Sequence, residues 1–182
     1  MLPAVSEFDR DSLTTGFPPL LGRRPRVLVL GTLPSQKSLQ KQQYYGHPQN
    51  AFWPIMGSLF GAGPDLPYAE RVAVVTKARV AVWDVLGSSV RPGSMDADID
   101  IGSATPNDFA ALLSSNPDIE LVCFNGQAAA RLFRRLVAPS LENRSNTPDY
   151  RTLPSTSPAY ASMSFTDKLD RWRIVRTVAN RE

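Results

Sequence analysis

Three short apolar runs constrain this chain more than any other feature. "RVLVLG" (Arg26–Gly31), "ARVAVWDVL" (Ala78–Leu86) and "IELVCFNG" (Ile119–Gly126) are rich in β-branched residues and nearly free of polar interruptions. A strand with one wet face alternates apolar and polar residues. A run that stays apolar reads as a strand buried on both faces, as in parallel sheets. "YRTLPSTSP" (Tyr150–Pro158) opens as a shorter fourth strand and breaks at proline. Helical patterns lie between the runs: Asn50–Gly61, Thr105–Asn116 with a Thr-Pro start signal, the alanine- and leucine-rich Gly126–Ala138, and the amphipathic Ser164–Ala179. Alternating strands and helices predict an α/β fold, a parallel sheet flanked by helices. The 182 residues suit one domain with a sizeable core. Residues 1–24, rich in Pro, Gly and polar groups, are expected to form an extended lead-in to a single domain spanning 25–182.

In such folds ligands bind beyond the carboxyl ends of the strands. The residues that follow each strand are therefore the candidate site: "GTLPS", "WDVLGSSVRPGSMD", "NGQ" and "PSTSPAY". The first continues into a crowded stretch, "GTLPSQKSLQKQQYYGHPQNAFW" (Gly31–Trp53), which holds the only histidine, His47, and two adjacent tyrosines.

Several chemistries are disfavoured. There is no GxxxxGK[ST] phosphate loop, no GxGxxG dinucleotide fingerprint and no GxSxG nucleophile elbow. A serine triad would have to use His47 as its base. One cysteine, Cys123, excludes a disulfide framework and a four-cysteine cluster, and one histidine argues against a Cys/His zinc site. No metal and no organic cofactor are expected. The acidic run "SMDADID" (Ser94–Asp100) reads first as a solvated loop or helix start. The N-terminus contains acids and lacks a signal peptide's apolar core, and no apolar run approaches the ~20 residues that span a membrane. A cytoplasmic location is expected. The net charge of +3 and pI of about 9.2 are compatible with a nucleic-acid partner without requiring one.

What the rim offers is aromatic faces and amides, which suit a flat heterocycle, and hydroxyls and backbone N–H groups at tight turns, which suit phosphates. Together they describe a pocket for an extruded nucleobase and its flanking backbone. "GTLPS", "YYGHPQNAFW" and "LPSTSPAY", in that order, resemble the motifs of the uracil-DNA glycosylase superfamily, and are most similar to its hypoxanthine-DNA glycosylase (deoxyinosine glycosylase) branch. "GSMDADI" also resembles a segment of that branch. The resemblance spans about Arg26 to Ala179, and "GHPQNAFW" is its most specific part.

The resemblance implies a three-layer α/β/α sandwich around a four-stranded parallel sheet, and excision of bases from DNA at the N-glycosidic bond. It also implies roles. The first motif of the family usually carries a water-activating Asp or Asn at its third position; here that residue is Leu33, which can neither orient nor deprotonate water. In the hypoxanthine branch the catalytic role falls to the Asn of HPxN, which is Asn50. Residue by residue, Tyr45 matches an aromatic that stacks on the flipped base, and Asp84 a base-reading side chain. His47, Asn125, Thr32 and Leu33 are further base-side candidates. Pro34, Ser35, Lys37, Ser155, Ser157, Pro158 and Tyr160 are candidates for the DNA backbone. Ser155 departs from the His or Asn that often heads this last motif. Each residue has a plainer reading: Asn50 a helix cap, Tyr45 a core aromatic, His47 a turn residue, Asp84 and Asn125 strand-end groups, Lys37 and Lys41 solvated cations.

The expectation is thus a monomeric, monofunctional DNA glycosylase acting on deaminated bases, hypoxanthine first and uracil second, in base excision repair. The alternatives are a DNA-binding member that has lost catalysis, motivated by Leu33, and a small-molecule nucleoside hydrolase.

Overall fold

The computed structural model describes residues 12–182. The chain runs β1 (Leu13–Thr15), β2 (Val27–Gly31), α1 (Gln36–Lys41), α2 (Phe52–Phe60), α3 (Tyr68–Lys77), β3 (Val80–Asp84) and β4 (Leu86–Val90). It continues through β5 (Thr105–Pro106), α4 (Phe109–Ser115), β6 (Leu121–Asn125), α5 (Gln127–Leu136), β7 (Asp149–Leu153) and α6 (Phe165–Ala179). The apolar runs become the sheet β3-β2-β6-β7, parallel throughout. All five residues of β2 are buried, because strands flank it on both edges and helices cover both faces.

Alternation of side chains along the strands separates the molecule into layers. Val27, Val29, Val80, Val82 and Cys123 point to one face, where they pack with Ile55 and Met56 of α2, Val75 of α3, and Trp172 and Val175 of α6. Leu28, Leu30, Ala81, Val122 and Phe124 point to the other, against Phe109 and Leu112 of α4 and Ala129 and Phe133 of α5. The result is the three-layer α/β/α sandwich with a four-stranded parallel sheet that the motifs imply. β2 connects through helices to β3 on one side and has β6 on the other, so the strand order reverses beside β2. That reversal opens a crevice at the carboxyl ends.

Three sequence expectations change. The run Ala78–Leu86 is not one strand: the ladder ends at Asp84, and β4 pairs antiparallel with β1 and β5 in a small second sheet. The backbone turns there because Val85 N donates to Gly31 O (2.9 Å) and Leu86 N to Thr32 O (3.1 Å), which folds the chain over the first rim loop. The Thr-Pro pair at 105–106 does not start a helix; Thr105 pairs with Ser88, and α4 is capped instead by Asp108, whose carboxylate accepts from Ala111 N (3.0 Å). The lead-in is also more than extended chain: residues 1–11 lie outside the described residues, but β1 pairs with β4 and Leu20 bridges to Val82. Among the described residues no helix is long and apolar enough to cross a membrane.

Candidate active site

The loops beyond the carboxyl ends of β2, β3, β6 and β7, with the segment after β4, enclose a cavity of about 530 Å³. That lies within the range of small-molecule sites. Every site residue named from the sequence lines it. Lys41, at the end of α1, does not.

The floor lies over the end of β2. A Cβ on Gly31 would stand 2.6 Å from Asp84 Oδ1 and 3.0 Å from the Tyr45 hydroxyl, so these two polar groups converge on the space a glycine leaves. Asp84 is in register with Gly31 across the β2–β3 ladder and is buried. Neither Asp84 Oδ2 nor the Tyr45 hydroxyl, both buried, has a hydrogen-bond partner among the described residues. Burial pushes the Asp84 carboxyl up to about 7; the Arg91 guanidinium opposes this and the Asp96 charge adds to it. Burial, and secondarily Asp84, likewise raise the Tyr45 phenol far above its ordinary range.

Tyr45 is held in a left-handed conformation (φ 53°) and its ring stacks on Phe52 at 4.1 Å. Phe52 is itself wedged edge-on against Trp53 and Trp172. One ring of the cavity wall therefore sits on a rigid aromatic column rooted in the core. Asn50 precedes α2. Its Oδ1 accepts from Phe52 N (2.9 Å), and its own N–H donates to His47 O (3.0 Å). The bond is a side-chain turn one residue ahead of the helix N-cap, Ala51, and it fixes the Asn50 oxygen while the NH2 keeps its donors for other partners. His47 Nδ1 accepts from Gln49 N (3.1 Å), which leaves Nε2 as the N–H of the neutral ring.

Asn125, after β6, is tied at both ends to Thr156: Nδ2 donates to its Oγ1 (2.8 Å) and Oδ1 accepts from its N–H (2.9 Å). Thr156 O in turn accepts from Ala51 N (2.9 Å). This chain of bonds fastens the β6 end and the β7 loop to the head of α2. Gly126 permits the close approach, with φ 96° and a would-be Cβ only 3.0 Å from Ser155 Cβ. The Ser155 and Ser157 hydroxyls accept from Ser157 N and Ala159 N (3.2 Å each), and shape their own tight turn. Tyr160 is exposed at the rim, with Lys168 Nζ 5.2 Å from its ring centroid.

On the first loop, Ser35 caps α1 by accepting from Ser38 N (3.2 Å), and Lys37 stands exposed beside it. Leu33 is buried against the α4–α5 side of the core. Arg91, buried after β4, donates to the carbonyls of Leu33 (3.3 Å) and Pro34. Thr32 Oγ1 donates to Asp96 Oδ1 at 2.6 Å. The acidic run is therefore not a solvated loop throughout: its first carboxylate is bonded into the site.

Sequence reasoning passed over Arg91, Asp96, Thr156 and Phe52. The hydrophobic pattern gives no sign that β4 turns back over the first loop, which is what delivers the first two. Among the described residues no cluster of three or more His, Cys, Asp or Glu is placed to hold a metal ion.

Comparison with known proteins agrees with this architecture. A curated hypoxanthine DNA glycosylase from Methanosarcina acetivorans is 40% identical over 115 residues, covering 63% of this chain and 72% of that protein. A second, from Methanosarcina barkeri, is 36% identical over 113 residues, covering 62% and 70%. A solution NMR structure from Methanosarcina acetivorans, described as a candidate uracil DNA glycosylase, superposes with a TM-score of 0.74 at 32% identity, over 92% of this chain and 99% of that one. The family description "Uracil DNA glycosylase superfamily" matches residues 18–178, and with the layered fold and the rim cavity in agreement, the chain belongs to that superfamily.

Proposed function

We propose that this protein is a DNA N-glycosylase that releases hypoxanthine, and secondarily uracil, from DNA as a step of base excision repair. The observation that carries the reading is the pairing of the Tyr45–Phe52 aromatic column with the fixed amide of Asn50 across one cavity, in a chain similar to two hypoxanthine DNA glycosylases. An extruded base stacks on Tyr45, and the polar floor at Asp84 reads its edge. Below about pH 7 the raised carboxyl offers an O–H donor to the base; above it, a carboxylate acceptor. Cleavage of the glycosidic bond passes through an oxocarbenium-like sugar, so positioning and electrostatics supply most of the acceleration. Asn50 holds the attacking water, and the tight serine turns after β7 grip the flanking phosphates.

The test is base release from duplexes holding deoxyinosine or deoxyuridine, wild type against Asn50→Ala. Hypoxanthine should be released, and Asn50→Ala should lower the rate by about 100-fold or more, as for loss of one preorganised polar group. Leu33 motivates a second reading, a DNA-binding member without catalysis. Tight binding to the deoxyinosine duplex with no product would favour it, and a fully active Asn50→Ala would reject the assigned role.

A further inference from the structure

With Leu33 at its third position the first rim loop carries no carboxylate or amide side chain, yet a carboxylate stands beside it. Asp96 lines the cavity and is half exposed, its side chain at 45% of full exposure. It arrives on the segment that follows β4, and that segment is firmly docked. Gln36 N donates to Ser94 Oγ (2.9 Å), and Arg91 spans the Leu33 and Pro34 carbonyls from beneath. Thr32 Oγ1 donates to Asp96 Oδ1 (2.6 Å), and Arg91 Nη1 lies 4.0 Å from the same oxygen. Both contacts fall on Oδ1. Among the described residues Oδ2 has no hydrogen-bond partner, so one carboxylate oxygen is anchored and the other can meet a ligand or water.

We propose that Asp96 is the general base of the glycosylase reaction, supplying from the β4 segment the proton acceptor that Leu33 cannot provide. This rests on the glycosylase reading above. Asn50 can orient a water, but an amide does not take a proton at neutral pH. In the step assigned to Asp96, the water oxygen forms a bond to C1′ as the C1′–N bond breaks. The bonding pair leaves with the base, which takes up a proton from solvent; the proton of the attacking water passes to Asp96 Oδ2. The cavity's other carboxyl, Asp84, is a poor candidate for this role. It is buried at the floor, pushed up to about 7, and faces the base edge. Two carboxyls in such different settings suit two different tasks. Asp96 also contributes to the upward shifts of Asp84 and Tyr45, as a charge close to both does.

The deciding experiment is single-turnover release of hypoxanthine from a deoxyinosine duplex by wild type, Asp96→Asn and Asp96→Gly, the last with and without formate. Affinity for a duplex with a tetrahydrofuran abasic analogue is measured in parallel. Asn retains an acceptor for Thr32, so Asp96→Asn keeps the docked loop while losing the base. It should bind the analogue as wild type does but react about 100-fold or more slowly. Formate should restore part of the rate to Asp96→Gly, an effect that a structural role would not produce. Asp96→Asn reacting at the wild-type rate, or formate leaving Asp96→Gly unchanged, overturns the assignment while the glycosylase reading stands. A wild type that releases no base overturns that reading, and the proposal with it.

Discussion

Asn50 joins a structural hydrogen bond to a place in the cavity wall. Its oxygen accepts from Phe52 N in a tight turn just ahead of α2, and the residue lines the cavity. Asn50→Asp retains an acceptor there and should melt close to wild type, whereas Asn50→Ala should lose about 1 kcal/mol, the usual net worth of one hydrogen bond, by thermal unfolding. Asp84 makes the opposite trade. Its folded pKa of about 7 exceeds the ordinary 3.8, so between these values the folded protein binds more protons than the unfolded chain. Stability from this group is fully present below about pH 4 and is withdrawn as pH rises through 7. At about 1.4 kcal/mol per unit, up to about 4 kcal/mol is involved. Asp84→Asn should therefore raise the melting temperature at pH 8 more than at pH 5. Equal shifts at both pH values would refute the burial argument. The sequence could place Asp84 at a strand end, but a carboxylate's ionisation depends on what surrounds it, and that is assembled from β2, β4 and the loop at Tyr45.

At the scale of elements, the strands were legible and their exits were not. Apolar runs reveal burial on both faces, which fixes β2, β3 and β6 to within a few residues. They do not reveal that β4 leaves the main sheet, because Val85–Leu86 is as apolar as the strand before it. Nor does "Thr105-Pro106" announce a strand, since Pro is equally at home at a helix start and on a sheet edge. Two joints between elements should prove sensitive. Gly31→Ala would drive a methyl group toward Asp84 Oδ1 at 2.6 Å, and the buried carboxylate has little room to yield. Loss of base release beyond any loss of stability is expected, read as activity at a temperature where the variant remains folded. Thr156→Val keeps the shape but removes the acceptor for Asn125 Nδ2, joining β6 to the β7 loop. A destabilisation of about 1–3 kcal/mol in denaturant unfolding is expected for the orphaned amide.

At the scale of the whole molecule, the charge is slight and the site is local. Duplex affinity should fall with salt according to how many Lys and Arg side chains meet phosphates, a local count that the net charge of +3 does not give. Lys37, exposed on the rim, should be one such contact. Lys37→Ala should reduce the slope of log affinity against log salt by about 1, equally for damaged and intact duplexes. An unchanged slope would place Lys37 off the path of the DNA. The sequence by itself determined the α/β class, the order of the buried strands, and which segments reach the rim, because side-chain periodicity and turn residues act locally. It also displayed Asn50, Tyr45 and Leu33 in motifs that mark the family. Only the tertiary structure decided that Arg91 and Asp96 meet Thr32 and the Leu33 carbonyl, that Asn125 is bound to Thr156, and that Asp84 and Tyr45 share the space above Gly31. Those pairings join residues 31 to 64 positions apart in most cases, or cross from one sheet to another, and no local pattern encodes contacts set by how separate elements pack.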